Sequence, residues 1–565
     1  MGGTKDREAR CNWYDLGEGM GSPHTQIIKK YPREIAHLRT QTQDGRKHLG
    51  ILFGAGVSGS YELPSWVSLV GEIQKNLEAQ GVTLGSIAGG VTYQTQILYQ
   101  HFRNHFYSSG HGLKGALLDA EFRKQWRTIV HGALYKNFSG KTDADLKKHP
   151  YLEAWVPLIK TISLLINYNF DDCVERLLTS TRTAEDKSRT MGFEAIWQPR
   201  YRFSPERTAI YHPNGFLPWN MRDKHSDQLV FSEDSFADQI IEAASGRFPF
   251  MVDYLVRHTC ILLGFSLDDT TLKSLLRQHA RVNPGHYHYY IRYMNTPDEL
   301  SDEQRQAIQD ANFNVYNLIT LFLGTEEIKS LGELLVMSEE NFVSCYHAAG
   351  AREKYKYYFV GPVASGKTSN ISQFRSLIVL DEWLDSRIDE IMKPSIDLTT
   401  EESTRVDGWI FEQVRKKNVR MQKFSFGLIA MDRAPLDAFA FTEEGKWKEK
   451  ATAIRENVCG TGSSARQLEA GHVILLSADP ADLESRTRAR GRSGDAAYLT
   501  RQQDDLHLVY NKEKYSGVSV VNTKGQSIAE IAQRIAQIVF REEYIEFPMH
   551  GRMLEIERSG RPQDA

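Results

Sequence analysis

The sequence predicts an α/β protein made of two successive units, each built on a parallel sheet. Short apolar runs ending in Gly, Ser, Asn or Asp alternate with stretches of helical periodicity, and two of these runs open into glycine-rich loops, at Gly54-Ala55-Gly56 and at Gly361 to Gly366. A strand buried on both faces reads as a continuous apolar run, and the residues at its carboxyl end lie where open α/β sheets bind ligands. The first unit is expected over 46–337 as a doubly wound sheet with a helical insertion, and the second over 354–545. Residues 1–45 read as an N-terminal arm, 338–353 as a linker and 546–565 as a C-terminal tail.

Composition narrows the class. The chain has 565 residues, 41% hydrophobic and 25% charged, the proportions of an ordinary globular protein. A net charge of −3 gives no global basic surface, so nucleic-acid binding is not implied. No apolar run approaches the ~18 residues of a membrane span. The start, Met1-Gly2-Gly3-Thr4-Lys5-Asp6, has no apolar signal segment, and Asp6 stands where an acylation pattern needs Ser or Thr. The five cysteines, Cys11, Cys173, Cys260, Cys345 and Cys459, are scattered with no Cys-x-x-Cys pair, so neither a disulfide framework nor a zinc ribbon is expected. A reducing cytoplasm is the expected compartment.

In the first unit, the run Leu49–Phe53 ends in Gly54-Ala55-Gly56-Val57-Ser58, a loop whose glycines let backbone lie close to a ligand or make a tight turn. Residues 87–139 read as mainly helical and aromatic-rich. Strand character returns at Thr161–Ile166, followed by Asn167-Tyr168-Asn169-Phe170-Asp171-Asp172. Asn169 and Asp171, two apart, share a side of an extended chain and suit a ribose; Asp171 or Asp172 equally suits an N-cap for a helix from Cys173. The run Thr208–Tyr211 leads to His212, a group that titrates near neutrality, then Pro213-Asn214-Gly215. Leu229–Ser232 follows. Cys260–Leu263 delivers Gly264-Phe265-Ser266, with Asp268 or Asp269 placed to cap the next helix. Tyr287–Arg292 and Asn314–Leu318 read as further strands.

In the second unit, Lys354–Val360 runs into Gly361-Pro362-Val363-Ala364-Ser365-Gly366-Lys367-Thr368, the full P-loop pattern in a strand–loop–helix context. Its backbone, with Gly361, Ser365 and Gly366, suits the phosphates of ATP; Lys367 suits their charge and Thr368 suits Mg²⁺. Phe426–Met431 ends in Asp432-Arg433, where an acidic residue beside a P-loop suits Mg²⁺ or acts as a base, or else caps a helix. Val473–Ser477 leads to Arg486, Arg488, Arg490 and Arg492, either a solvated face or a lid over transferring phosphates. Val518–Asn522 and the helix Ile528–Phe540 close the unit.

The order of motifs resembles two known families. Gly54 to Ser58 with Leu63-Pro64-Ser65-Trp66, Asn169 to Asp172, Tyr211 to Gly215, Ser232-Glu233 and Gly264 to Asp269 resemble, in order, the segments of the sirtuin-like family. That resemblance implies a Rossmann-like fold and NAD⁺ as substrate. Gly54, Ala55, Gly56, Ser58, Gly264, Ser266 and Asp269 would contact it, and Asn169, Asp171 and His212 would be catalytic. Family members commonly carry His directly before the glycine, where this chain has Asn214. With no zinc ribbon, the resemblance points to the zinc-free branch that in bacteria cleaves NAD⁺ during antiviral defence, and away from deacylases. Residues 354–545 resemble nucleoside and nucleotide monophosphate kinases, thymidylate-kinase-like and deoxynucleoside-kinase-like. This implies that Asp432 is base or metal partner, Arg433 a phosphate clamp, and Arg486 and Arg490 lid residues. Together the resemblances imply a cytoplasmic NAD⁺ hydrolase gated by a nucleotide or a phage-derived trigger, with further copies of the chain as partners and no membrane. The alternatives are a nucleotide kinase with a degenerate first unit, or a non-catalytic nucleotide switch.

Overall fold

The computed structural model describes residues 22–43, 48–85, 87–109, 112, 114–182, 193–198, 208–244, 249–267, 269–392, 399–489 and 495–562. Arg490, Arg492, Asp268 and residues 1–21 of the expected arm lie outside them.

The chain forms two parallel sheets flanked by helices. The first contains β1 (Leu49–Phe53), β2 (Leu164–Asn167), β3 (Phe193–Ile196), β4 (Thr208–Tyr211), β5 (Thr259–Leu263), β6 (His288–Tyr293) and β7 (Leu318–Leu323). Their order is β3-β4-β2-β1-β5-β6-β7. The chain leaves β1 towards β2 on one side and returns to β5 on the other, so the winding reverses at β1. A crevice is expected there, at the carboxyl ends of β1, β2 and β5. The helices Val91–Ser108 and Ala116–Leu134 occupy the expected insertion.

The second sheet contains β8 (Lys354–Val360), β9 (Ile378–Leu380), β10 (Gly427–Asp432), β11 (His472–Ser477) and β12 (Val518–Asn522), in the order β12-β11-β8-β10-β9. β8 is central, so its carboxyl end opens between β10 and β11.

Several local expectations change. Asn314–Tyr316 ends the helix Asp302–Tyr316, and the strand begins only at Leu318. A Ser301–Gln304 capping box starts that helix and Asn317, left-handed at φ 51°, ends it, so capping overrides the strand-like run Asn314-Val315-Tyr316. Leu229–Ser232 carries no strand and leads into the helix Glu233–Ala244. Residues 338–353 contain the helix Glu339–Ala349, and residues 546–562 contain the helix Met549–Ser559, which buries Met549, Met553 and Ile556.

Residues 22–43 form two helices, Pro23–Lys30 and Pro32–Gln41. Ile28, Ile35 and Leu38 join one continuous buried cluster with Leu331 and Phe342 on the side of the first sheet and Phe426 and Leu428 on the side of the second. Arg33 donates to Val539 O and Glu542 O, while Arg39 donates to Leu335 O and Met337 O. This segment is thus a wedge between the two sheets. Among the described residues no helix is long and apolar enough to cross a membrane.

Candidate functional site

The carboxyl ends of β1, β2 and β5 converge. Gly54 N–H donates to Leu263 O at 2.9 Å and Gly56 N–H to Gly264 O at 2.8 Å. A Cβ on Gly54 would lie 2.6 Å from Gly264 O, and one on Gly264, itself at φ 80°, would lie 2.6 Å from Val57 N. The glycines are therefore required by backbone-to-backbone packing of two loops, and the amides of Gly54 and Gly56 are committed to that contact. Ala55 and Gly56 nevertheless face solvent on the outer side.

Asn169 ties this loop to β2. Its Nδ2 donates to Gly54 O and to Ser58 Oγ, both at 3.0 Å. Its own N–H donates to Asn167 Oδ1 at 3.1 Å. Asp171 accepts from Cys173 N–H at 3.1 Å, and burial raises its pKa against hydrogen bonds that include one from Ser58. The sequence left Asp171 open between ribose ligand and helix cap; its carboxylate here faces the first turn of the helix Cys173–Ser180. Burial pushes neighbouring Asp172 up to about 7.

His212 occupies a place unlike the one a general base requires. Its Nδ1 lies 2.8 Å from Asn169 O and its Nε2 lies 2.6 Å from Glu175 Oε1, and the ring is fully buried. A carbonyl and a carboxylate only accept, so both ring nitrogens donate and the imidazole is charged. Burial acts to lower its pKa, but the charge and hydrogen bond of Glu175 outweigh this and the net shift is upward. An imidazolium with both protons engaged has no lone pair to receive another. The geometry makes His212 the residue that holds the Asn169 backbone.

Asn214 lies at the same edge, its Nδ2 donating to Tyr168 O at 3.1 Å. Asn214 Oδ1 and Asn167 Nδ2 are buried without a hydrogen-bond partner. An unmet buried acceptor or donor costs about 1–3 kcal/mol, so each calls for a polar partner such as water or a ligand. Ser266 is exposed at the tip of the loop after β5, and Asp269 caps the helix Thr270–Val282 by accepting from Leu272 N–H at 2.7 Å.

Two residues of this site carry no sequence signal of the kind used above. Glu175 lies on the helix after Asp172. His149 Nε2 donates to Val57 O at 2.8 Å while its Nδ1 accepts from Leu152 N–H at 3.0 Å, so it is neutral and fixes the glycine loop from behind. Burial lowers its pKa to about 4.

The second constellation lies at the carboxyl ends of β8, β10 and β9. Ala364, at φ 63°, and Gly366, at φ 94°, turn the P-loop, and Lys367 Nζ donates to Gly361 O and Pro362 O at 2.7 and 2.9 Å. Burial, then the Arg433 charge, lowers Lys367 to about 8. Thr368 Oγ1 donates to Asp432 Oδ2 at 2.9 Å, and Asp432 Oδ1 has no partner. A hydroxyl and a half-free carboxylate are the oxygen donors Mg²⁺ prefers, so this pair fits the ion. Ser365 Oγ is likewise buried and unmet.

Arg433, at φ 68°, donates to Glu382 Oε1 at 2.5 Å. Buried Lys417, lowered by burial to about 8, donates to Asp432 O at 2.7 Å and holds this turn. Asp437, raised by burial to about 6, accepts from Tyr510 OH at 2.9 Å. Glu382, Lys417 and Asp437 were not singled out from sequence; for Glu382 the signal existed, since Leu377–Leu380 is an apolar run ending in two acids. Arg486 turns towards the closing turn, both its terminal nitrogens lying 3.4 Å from Thr523 oxygens.

The fold and these two constellations define a class: a two-sheet α/β protein with polar loops gathered at the carboxyl ends of the central strands of each sheet. Residues 163–316 match the sequence family described as a SIR2-like domain. The match begins at β2 and so does not include the Gly54–Ser58 loop. No curated protein matches the chain. Solved structures similar to part of it include thymidylate kinase from Candida albicans, with 13% identity over 34% of this chain and 95% of that one, TM-score 0.25. Deoxyadenosine kinase from M. mycoides with bound dATP shows 16% identity over 33% of this chain and 98% of that one, TM-score 0.26.

Proposed function

We propose that the first unit hydrolyses NAD⁺ at the nicotinamide–ribose bond and that the second binds ATP with Mg²⁺ and gates it. One observation carries the reading: Asn169 bridges the end of β2 to the Gly54–Ser58 loop while its own backbone is clamped by His212 and Glu175. The SIR2-like match over 163–316 supports it.

In this reading the unmet Asn167 Nδ2 and Asn214 Oδ1 meet ribose hydroxyls. The C1′–N bond breaks with its electron pair leaving on nicotinamide, water adds its oxygen to C1′, and one proton is released, giving ADP-ribose. Charge developing on the ribose is stabilised by fixed dipoles and nearby carboxylates, Asp171 and Asp172 among them. In the second unit Lys367 binds phosphate oxygens, and Thr368 and Asp432 hold Mg²⁺, which supplies charge neutralisation. Depletion of NAD⁺ as a defence against infection is the biological setting this activity suits, with a nucleotide or a phage product as trigger and a homo-oligomer as the active form.

The experiment is NAD⁺ consumption by the full-length protein, with and without Mg·ATP and a panel of deoxynucleotides, with products separated by chromatography. Nicotinamide and ADP-ribose in equal amounts are expected. No NAD⁺ loss under any condition overturns the reading.

A second reading rests on the Arg433–Glu382 pair beside Lys367: phosphoryl transfer to a nucleoside or nucleoside monophosphate. Transfer of labelled γ-phosphate that Lys367→Ala abolishes would favour it.

A further inference from the structure

The two crevices are joined by a short run of backbone contacts. The helix Lys367–Ile371 begins on the phosphate-facing Lys367 and Thr368 and ends in a turn through Gln373 and Ser376. That turn touches the first unit at Gly285 and the wedge at His37 and Gln41. A Cβ on Gly285 would lie 2.8 Å from Gln373 O, so the two backbones are in direct contact there. Ser376 O accepts from His37 Nε2 at 3.2 Å and from Gln41 Nε2 at 2.7 Å. His37 Nδ1 shares a hydrogen bond with Tyr289 OH at 2.7 Å. Tyr289 is on β6, and His37 and Tyr289 are fully buried.

The Gly285 turn is itself rigid and leads to the NAD⁺ crevice. Asn317 Nδ2 donates to Asn283 O, Pro284 O and His286 O at 3.1 to 3.3 Å. The turn ends the 13-residue helix Thr270–Val282, about 20 Å long at 1.5 Å per residue. The other end of that helix is Asp269, five residues after Gly264, whose backbone packs on Gly54 and Gly56. The helix therefore joins the Gly285 turn at one end to the segment that follows Gly264 at the other, and close-packed interiors transmit small shifts along such an element.

We propose that phosphate binding in the P-loop is coupled to the Gly54–Gly264 loop pair through the Gln373–Gly285 contact, the Ser376–His37–Tyr289 clamp and the helix Thr270–Val282. It rests on the NAD⁺ and ATP reading above and names the route of regulation. A phosphate and a metal ion compete with the bonds of Lys367 Nζ to Gly361 O and Pro362 O and of Thr368 Oγ1 to Asp432, so a ligand that displaces them acts on the first turn of this helix. The wedge helix Pro32–Gln41 is then part of the switch.

The test is linkage, which is reciprocal for binding. ADP-ribose affinity is measured by calorimetry on the full chain with and without Mg·ATP, and ATP affinity with and without ADP-ribose. In the wild type each ligand is expected to change the other's affinity by the same factor, about fivefold or more. Gly285→Ala and Tyr289→Phe are expected to bring that factor towards one while each ligand alone binds within about twofold of wild type. Tyr289→Phe keeps the ring and removes only the hydroxyl, so it serves if Gly285→Ala does not fold. Both ligands binding without mutual effect, or a coupling factor that both variants preserve, overturns the proposal alone. Failure of ADP-ribose or ATP to bind the wild type overturns the functional reading, and the proposal with it.

Discussion

His212 Nε2 donates to Glu175 Oε1 at 2.6 Å, and through Nδ1 the same ring holds Asn169 O. One buried ion pair therefore sets the position of the amide that bridges β2 to the glycine loop.

The pH dependence of stability follows. The folded pKa of His212 is raised above its usual 6.5, so its contribution is fully present below about 6.5 and is lost as pH rises through the raised value. Glu175→Gln removes the partner, and breaking a buried pair costs about 3–5 kcal/mol. The gap between wild type and Glu175→Gln in urea unfolding is expected to be widest at pH 5.5–6.5 and to narrow towards pH 9. The Glu175 charge also helps raise Asp172 and Asp171, so relieving it in the variant narrows the gap further as pH rises. A gap that widens with pH contradicts the charged imidazole.

Asn169→Ala removes two hydrogen bonds to Gly54 O and Ser58 Oγ. Folding stability is expected to fall by about 1–3 kcal/mol, the scale of buried polar bonds lost. On the proposed reading, NAD⁺ hydrolysis is expected to fall by about 10²-fold or more, since the amide fixes the loop against the end of β2. Initial rates at saturating NAD⁺ on the folded variant decide it; a variant as fast as wild type removes Asn169 from the mechanism.

The loop pair predicts a contrast among glycines. Gly264→Ala puts a side chain at φ 80° and 2.6 Å from Val57 N, where backbone cannot yield, whereas a Cβ on Gly59 meets nothing within 4 Å. Denaturant midpoints are expected to drop for Gly264→Ala by about 1–3 kcal/mol or more and to stay within about 0.5 kcal/mol for Gly59→Ala. Equal effects at the two positions would remove the packing argument.

What was legible in the sequence is what is local. Apolar runs with polar carboxyl ends placed Gly54, Asn169, Gly264, Lys367, Thr368 and Asp432 at two sheet edges, because strand, loop and following helix are neighbours in the chain. β3 is an edge strand of four residues without a continuous apolar run, whereas β9, an edge strand of three, lies in the apolar run Leu377–Leu380 that the sequence does show. Glu175, His149 and Lys417 act across 37, 92 and 15 residues on backbone or side chains that only tertiary packing brings near. The sequence places the His212 imidazole but not its partners, Asn169 O and Glu175, which tertiary packing supplies. Met549, Met553 and Ile556 have helical spacing, but their burial depends on the helix Trp447–Ile454 they pack near, which sequence order does not reveal.

Lys367 gives the second unit its own pH signature. Burial and the neighbouring Arg433 lower its pKa to about 8, so it begins to lose its charge where an ordinary lysine is fully protonated. Binding of an anionic nucleotide favours the charged form and takes up the missing proton, so affinity is expected to hold from pH 6.5 to 7.5 and then fall, approaching about tenfold per pH unit above 8. Asp437, near 6, is already ionised over this upper range and helps retain the charge on Lys367. Asp437→Asn is therefore expected to move the fall to lower pH, and Lys367→Ala to leave weak binding without a fall between pH 7 and 9. Calorimetric titration of Mg·ATP in buffers of different ionisation heat counts the proton directly. Proton uptake of zero at pH 8.5 would show that Lys367 is charged before the nucleotide arrives and that its buried site does not lower its pKa.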